Sequence, residues 1–180
     1  DGVIIDAQDS GCAITVSKNS VTIRGFNITN SFEWNDPFNS SGIRVLSDSN
    51  VIENNRVTES FVGILLETAE SNTIVGNYID EVEYGIFLTK SDLNTISSNT
   101  IHSASQRDII ICSFGYTSGS ELNTISANNG IEKIYFEESS SNKLTNQEVA
   151  TIELKVDSRN NSATSSEVDY VICDADSSFY

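Results

Sequence analysis

Four stretches of the chain can be laid over one another without gaps. Ile43-Arg44-Val45, Ile64-Leu65-Leu66, Ile86-Phe87-Leu88 and Ile109-Ile110-Ile111 follow Gly42, Gly63, Gly85 and Asp108. Each is followed by Asn50, Asn72, Asn94 or Asn123, and the last three of these open the tripeptide Asn-Thr-Ile. Asn50, Asn72 and Asn94 are spaced by 22 residues. A fixed period of that length marks a solenoid, in which each repeat buries its apolar face only against its neighbours. The search for function therefore moves from a central pocket to an outer surface.

The repeated segments are short and β-branched, and Asn, Gly and Ser punctuate them as turn residues do. Side chains alternate between the faces of a strand. Placing Ile43, Ile64, Ile86, Ile109 and Ile134 inward also places Val45, Leu66, Leu88, Ile111 and Phe136 inward. A second strand per coil adds the inward column Ile52, Ile74, Ile96, Ile125 and Leu144, which Val57, Ile79, Ile101 and Val149 continue. Ile14, Val16, Val21, Ile23 and Ile28 fit a first coil to the same template. Ile14 and Ile43 are 29 residues apart, so the first coil carries extra residues, placed at Ser31–Ser41. One period apart means one strand spacing of about 4.8 Å. Two stacks of Asn follow at the bends: Asn50, Asn72, Asn94 and Asn123, and Asn55, Asn77, Asn99 and Asn128. Asn tolerates left-handed backbone and forms amide ladders, so these residues are read as structural.

The pattern Gly-Ile-x-Leu, then Asn-Thr-Ile, then Asn, with the opening Gly2 to Thr29, resembles the right-handed parallel β-helix repeats of NosD-like and carbohydrate-active proteins. The resemblance covers roughly residues 1–150. It implies an all-β, single-stranded right-handed parallel β-helix of six to eight coils over residues 1–157. Residues 158–180 are then expected as a C-terminal segment packing on the helix or on a neighbouring subunit. Lyases, hydrolases, copper-delivery proteins and envelope structural proteins share such repeats, so the resemblance specifies the fold and not the activity. More narrowly, the chain resembles archaeal envelope proteins such as the tubular sheath of methanogens, which implies laterally joined subunits held by intersubunit disulfides.

The chain holds 26 acidic and 10 basic residues, a net charge of −16. Such a surface repels phosphate backbones and argues against a nucleic-acid partner. No run approaches the roughly 18 apolar residues of a membrane span. A chain that opens on Asp1 and holds no Met reads as a mature product after signal-peptide removal, or as a trimmed piece of a longer solenoid. The expected location is extracellular or in the cell envelope, where Asn27, Asn39 and Asn160 would be glycosylation acceptors.

The informative positions point outward. Arg44, Leu65, Phe87, Ile110 and Tyr135 occupy one outer column in consecutive coils, and four of them are large and apolar. A contiguous outer stripe of that kind marks an interaction site. It is expected either to contact a second copy of the chain or to be covered by the C-terminal segment. The insert Ser31–Ser41 adds Phe32, Trp34 and Phe38, and a second insert, Ser113–Ser120, adds Phe114 and Tyr116. These aromatic residues plug against the solenoid or a partner, or stack on sugar rings; Trp34 and Phe38 join the stripe as interface residues. The three cysteines are an odd number, which suggests a link to another chain or a free thiol. Cys12 and Cys112 lie four coils apart, beyond disulfide reach within one chain, and Cys112 points outward. Cys173 is placed to reach a partner.

Asp80 and His102 share an outer column in adjacent coils, with Glu59 and Glu83 nearby. General acid–base chemistry needs such groups around the scissile bond. His102 is the only His, however, and no Lys or Arg joins it, so the pair reads as solvated neighbours and no catalytic residue is assigned. No His pair, Met or glycine-aspartate calcium repeat points to a metal, Asp174-Ala-Asp176 being only half a calcium motif. No cofactor is expected. Two readings follow: a structural subunit of an envelope assembly whose partner is itself, or a carbohydrate-binding or polysaccharide-cleaving module on cell-surface polysaccharide. A third, copper delivery, is opposed by the scarcity of His and Met. The first uses the solenoid ends, where Val3–Ile5 and Val168–Cys173 offer strands.

Overall fold

A computed structural model describes residues 2–32, 36–114 and 119–180. The chain winds as a right-handed parallel β-helix, every strand pairing in parallel with its counterpart one coil away. A seven-stranded sheet takes one short strand from each coil, from Thr22–Arg24 through Val51–Glu53, Thr73–Val75 and Thr95–Ser97 to Ser162–Thr164. The larger, ten-stranded sheet is dominated by Arg56–Glu67, Tyr78–Thr89 and Thr100–Cys112. These long strands run around a corner, marked by left-handed backbone at Glu59, Glu81 and Ser103.

The core is the set of inward columns. Ile43, Ile64, Ile86, Ile109, Ile134 and Ile152 are aligned in register and fully buried, as are Ile52, Ile74, Ile96, Ile125 and Leu144. Glycine before the strand is sterically required. A Cβ on Gly63 would sit 2.7 Å from the carbonyl oxygen of Gly85, and one on Gly85 would sit 2.4 Å from that of Asp108.

Two amide ladders flank the seven-stranded sheet. The backbone N–H of Asn50 donates to the side-chain oxygen of Asn72, Asn72 to Asn94, and Asn94 to Asn123, each at 2.8 Å. The ladder continues through Asn142 to Asn161. On the other side Asn55, Asn77, Asn99 and Asn128 repeat the pattern, and Gln147 takes the next rung. The left-handed residue is not the ladder Asn but the one before it: Asn54, Gly76, Ser98 and Ala127 on one side, and Ser49, Ser71, Leu93 and Leu122 on the other. The turn conformation leaves the following Asn free to lie inside and bond along the axis. A third ladder, of serine hydroxyls, runs from Ser91 through Ser120, Ser139 and Ser158 to Ser177.

Residues 158–180 depart from expectation. They do not lie on the outer stripe but supply the last coil, Ser162–Thr164 pairing with Lys143–Thr145 and Glu167–Cys173 with Glu148–Lys155. The boundary at 157 is therefore no structural division, because the same ladders run across it.

Candidate functional site

Leu65, Phe87, Ile110 and Tyr135 do point away from the coil interior, in register with one another. The expectation that they form an exposed stripe is corrected. Leu65, Phe87 and Ile110 are buried and Tyr135 is half-buried, within a second apolar cluster outside the solenoid wall that also holds Phe61, Val62 and Cys112. Within the chain, the covering is not the C-terminal segment. It comes from the two inserts, whose aromatic rings carry the apolar area the stripe needs.

From the first insert, Phe32 packs edge-on against Phe61 at 5.8 Å between ring centroids. Phe38 follows a 3-10 turn, Pro37–Asn39, that Asp36 caps by accepting the Phe38 N–H. The second insert brings Phe114 to within 5.6 Å of Phe87 and 5.3 Å of Phe38, so the two inserts meet over the stripe. Phe61, Tyr84 and Phe87 extend the chain of ring contacts along the wall. Trp34 and Tyr116 lie outside the described residues.

Where the inserts end, the stripe opens into a cleft of about 400 Å³ lined by Phe61, Tyr84, Phe87, Ile110, Phe114 and Tyr135, with Arg107, Cys112 and Glu137. Arg107 lies over the Tyr135 ring at 4.7 Å and donates to Glu153 at 3.2 Å. Burial, reinforced by the neighbouring Glu137 charge, pushes the Tyr135 phenol up to about 12, so it stays a hydrogen-bond donor at any physiological pH. Apolar ring faces with a few polar groups at the edge are the usual make-up of a small-ligand site. The sequence exposed the aromatic content of this site; it did not show Tyr84 or Arg107, which carry no periodic signal.

The cysteines are placed differently from one another. Cys112 is buried in the wall of the cleft, and burial pushes its thiol up to about 12. That burial argues against a link from Cys112 to another chain. Cys12, half-buried, donates its thiol to the Phe38 carbonyl at 3.4 Å. Cys173 is exposed, and all three are free thiols.

A second, polar cleft of about 540 Å³ lies where coil length changes. Thr100–Cys112 carries a bulge between Ala104 and Arg107, while the coil below takes a shortcut through Asn128–Glu132, and the step between them opens the cleft. Asp108 stands there in place of the column glycine. Its carboxylate accepts the N–H groups of Glu132 and Lys133, both at 2.8 Å. Burial nevertheless raises its pKa above the ordinary carboxylate value. At the rim, His102 Nδ1 lies 3.1 Å from Asp80, with Ser103 at 2.9 Å. Burial raises Asp80, but hydrogen bonds from His102, Tyr78 and the Glu81 N–H together outweigh it and hold its pKa below the ordinary value. Of the acids grouped with this pair, Glu59 accepts instead from Thr29. Glu83 is half-buried on the same strand as Asp80. Among the described residues no group of three His, Cys, Asp or Glu is arranged to hold a metal ion. Asp174 is used in a turn, accepting from Ser177 and the Val156 N–H. Of the acceptor asparagines, Asn39 and Asn160 are exposed and Asn27 is half-buried in a strand.

Comparison with known proteins adds the family and the fold. The model of the family described as "Periplasmic copper-binding protein (NosD)" matches residues 2–146. No curated protein matches the chain. Among solved structures, the catalytic domain of a GH87 α-1,3-glucanase in complex with nigerose is similar with a TM-score of 0.56 and 12% identity. The match covers 87% of this chain and 40% of that one. A DFA-IIIase from Arthrobacter chlorophenolicus A6 in complex with GF2 is similar at the same TM-score with 13% identity, over 93% of this chain and 49% of that one. The chain thus spans less than half the length of these structures, and at such identities the likeness is one of fold.

Proposed function

The chain belongs to the NosD family, and from that premise we propose that it is a β-helical module outside the cytoplasm that binds a polysaccharide in the aromatic cleft. The observation that carries this reading is the cleft itself: Phe114 is exposed and Tyr84 and Tyr135 are half-buried in its wall, with Arg107 and Glu137 at the edge. A pyranose presents the matching surfaces, C–H groups on its faces and hydroxyls around its rim. Carbohydrate complexes of β-helices of the same fold are consistent with it.

We read the module as binding without cleaving. Asp80 and His102 do not line the aromatic cleft. Copper does not fit: the metal favours imidazole and sulfur donors, and this chain has one His and no Met, while among the described residues no three His, Cys, Asp or Glu side chains, Cys12 and Cys173 included, are grouped to hold a metal ion. The test is titration of the protein with neutral and acidic cell-surface oligosaccharides. Phe114 is half-exposed, so Phe114→Ala should fold normally and lose about tenfold in affinity, the worth of one aromatic stacking contact. Equal affinity in the variant, or no binding to any saccharide, sinks the reading.

A further inference from the structure

The charges at the aromatic cleft carry a selection. We propose that the cleft takes uncharged sugars and turns away uronates and sulfated sugars, and that Glu153 sets this selection as a positioning residue by holding the Arg107 guanidinium. This rests on the saccharide-binding reading and names its substrate class. Of the described residues lining the cleft, Arg107 is the one cation and Glu137 the one carboxylate. The Arg107 charge is already engaged. It donates to Glu153 at 3.2 Å and lies 4.7 Å from the centre of the Tyr135 ring. The two side chains are only 28% and 24% exposed, so water and salt weaken this pair less than they would a surface pair. Glu137 lies beside the Tyr135 phenol and belongs to none of the ion pairs among the described residues.

The cations around the cleft are matched in the same way. Arg44, in the outer column of Tyr135, donates to Glu67 at 3.1 Å. Lys133 lies near Asp108, and Lys155, opposite Glu137 in the next coil, lies near Asp174. A uronate entering the cleft therefore meets no uncommitted guanidinium and brings a second carboxylate to Glu137. It gains Arg107 only by taking it from Glu153, which leaves that carboxylate part-buried and unpaired. Selection of this kind is built against the wrong ligand. A neutral pyranose meets no such opposition: its faces lie on the rings, and its hydroxyls donate to Glu137. The net charge of −16 adds a longer-range repulsion of polyanions.

The experiment is isothermal titration with neutral oligosaccharides, each paired with a counterpart of the same linkage and length oxidised at C6 to the uronate, in low and physiological salt. Wild type should bind the neutral member about tenfold more tightly. Glu153→Gln should leave the neutral affinity within about twofold and raise the uronate affinity about tenfold, a gain that salt reduces and that adding Arg107→Gln abolishes. A merely structural role for Glu153 would lower both affinities together and overturns the selection. So does equal wild-type affinity for the two members, with saccharide binding left standing. Binding of neither member sinks saccharide binding itself, and the selection with it. The wild-type ratio decides the matter even if circular dichroism shows that Glu153→Gln folds poorly.

Discussion

The seven-stranded sheet and the outer face of the larger sheet are made by the same coils in opposite ways. The first repeats: each coil from Val51–Glu53 to Lys143–Thr145 places an Asn or Gln on either side of it, and each ladder rung bonds to the next. The second is made by departures from the repeat, two inserts that meet through Phe38 and Phe114 and a shortened coil that leaves a step beneath Thr100–Cys112. Both clefts lie at the departures. In a solenoid a regular position is answerable to its neighbours above and below, which leaves it little freedom for ligands; an insert is answerable only to the surface it covers.

Breaking the regular side should cost most. Asn99 accepts the N–H and the side-chain amide of Asn77, and donates to Ile74 and Asn128, all within the interior. Asn99→Leu strands these buried partners, at about 1–3 kcal/mol for each one left unmade. A loss of about 4 kcal/mol is expected in urea unfolding. A loss below about 1 kcal/mol would mean that packing alone shapes the bend.

On the irregular side, Leu65→Ala should cost about 3 kcal/mol, since Leu65 is fully buried outside the solenoid wall. A change near zero would show that the inserts do not seat on the stripe. Asp108→Ala should cost about 2 kcal/mol by stranding two N–H groups, whereas Asp108→Asn retains an acceptor. The sign with pH follows from the raised pKa of Asp108. Its contribution to stability is full below the ordinary carboxylate value of 3.8 and is lost as pH rises through the folded value. Asp108→Asn should therefore gain on wild type over that rise; parallel stability curves would show that the carboxyl is not desolvated. The smallest effect is kinetic. Cys173 should react with a thiol reagent in the native protein, while Cys112 should react only as the protein unfolds. Native labelling of Cys112 would mean that the wall of the aromatic cleft opens in the folded protein.

The inward columns were legible because an Ile repeated in register has one explanation, burial against its own copies. The Asn stacks were legible through Asn123 and Asn128, across spacings of 22 and 29. They faded when the spacing changed to 19, from Asn123 to Asn142 and Asn161, and when Gln147 took the place of an Asn. The serine ladder was missed because Ser is common in turns and its hydroxyl leaves no compositional mark. The outer stripe was legible as apolar, but its covering was not. An insert shows in sequence how much aromatic area it carries, and not which way it folds. The step cleft was hidden for a related reason, since it arises from residues that one coil lacks.

Coils of 22, 29 and 19 residues all return to the same asparagine ladder, so the bends absorb differences in length without passing them on. The molecule can accordingly be edited in whole turns. Deleting residues 73–94 would join Asn72 to Thr95, two neighbours that already share the Asn-Thr-Ile frame, and would shorten the rod by one strand spacing. The aromatic face would lose the span of one coil, and with it Phe87. Length along the axis and chemistry on the face are thus separately adjustable: the one changes by duplicating or removing coils, the other by what is inserted between them.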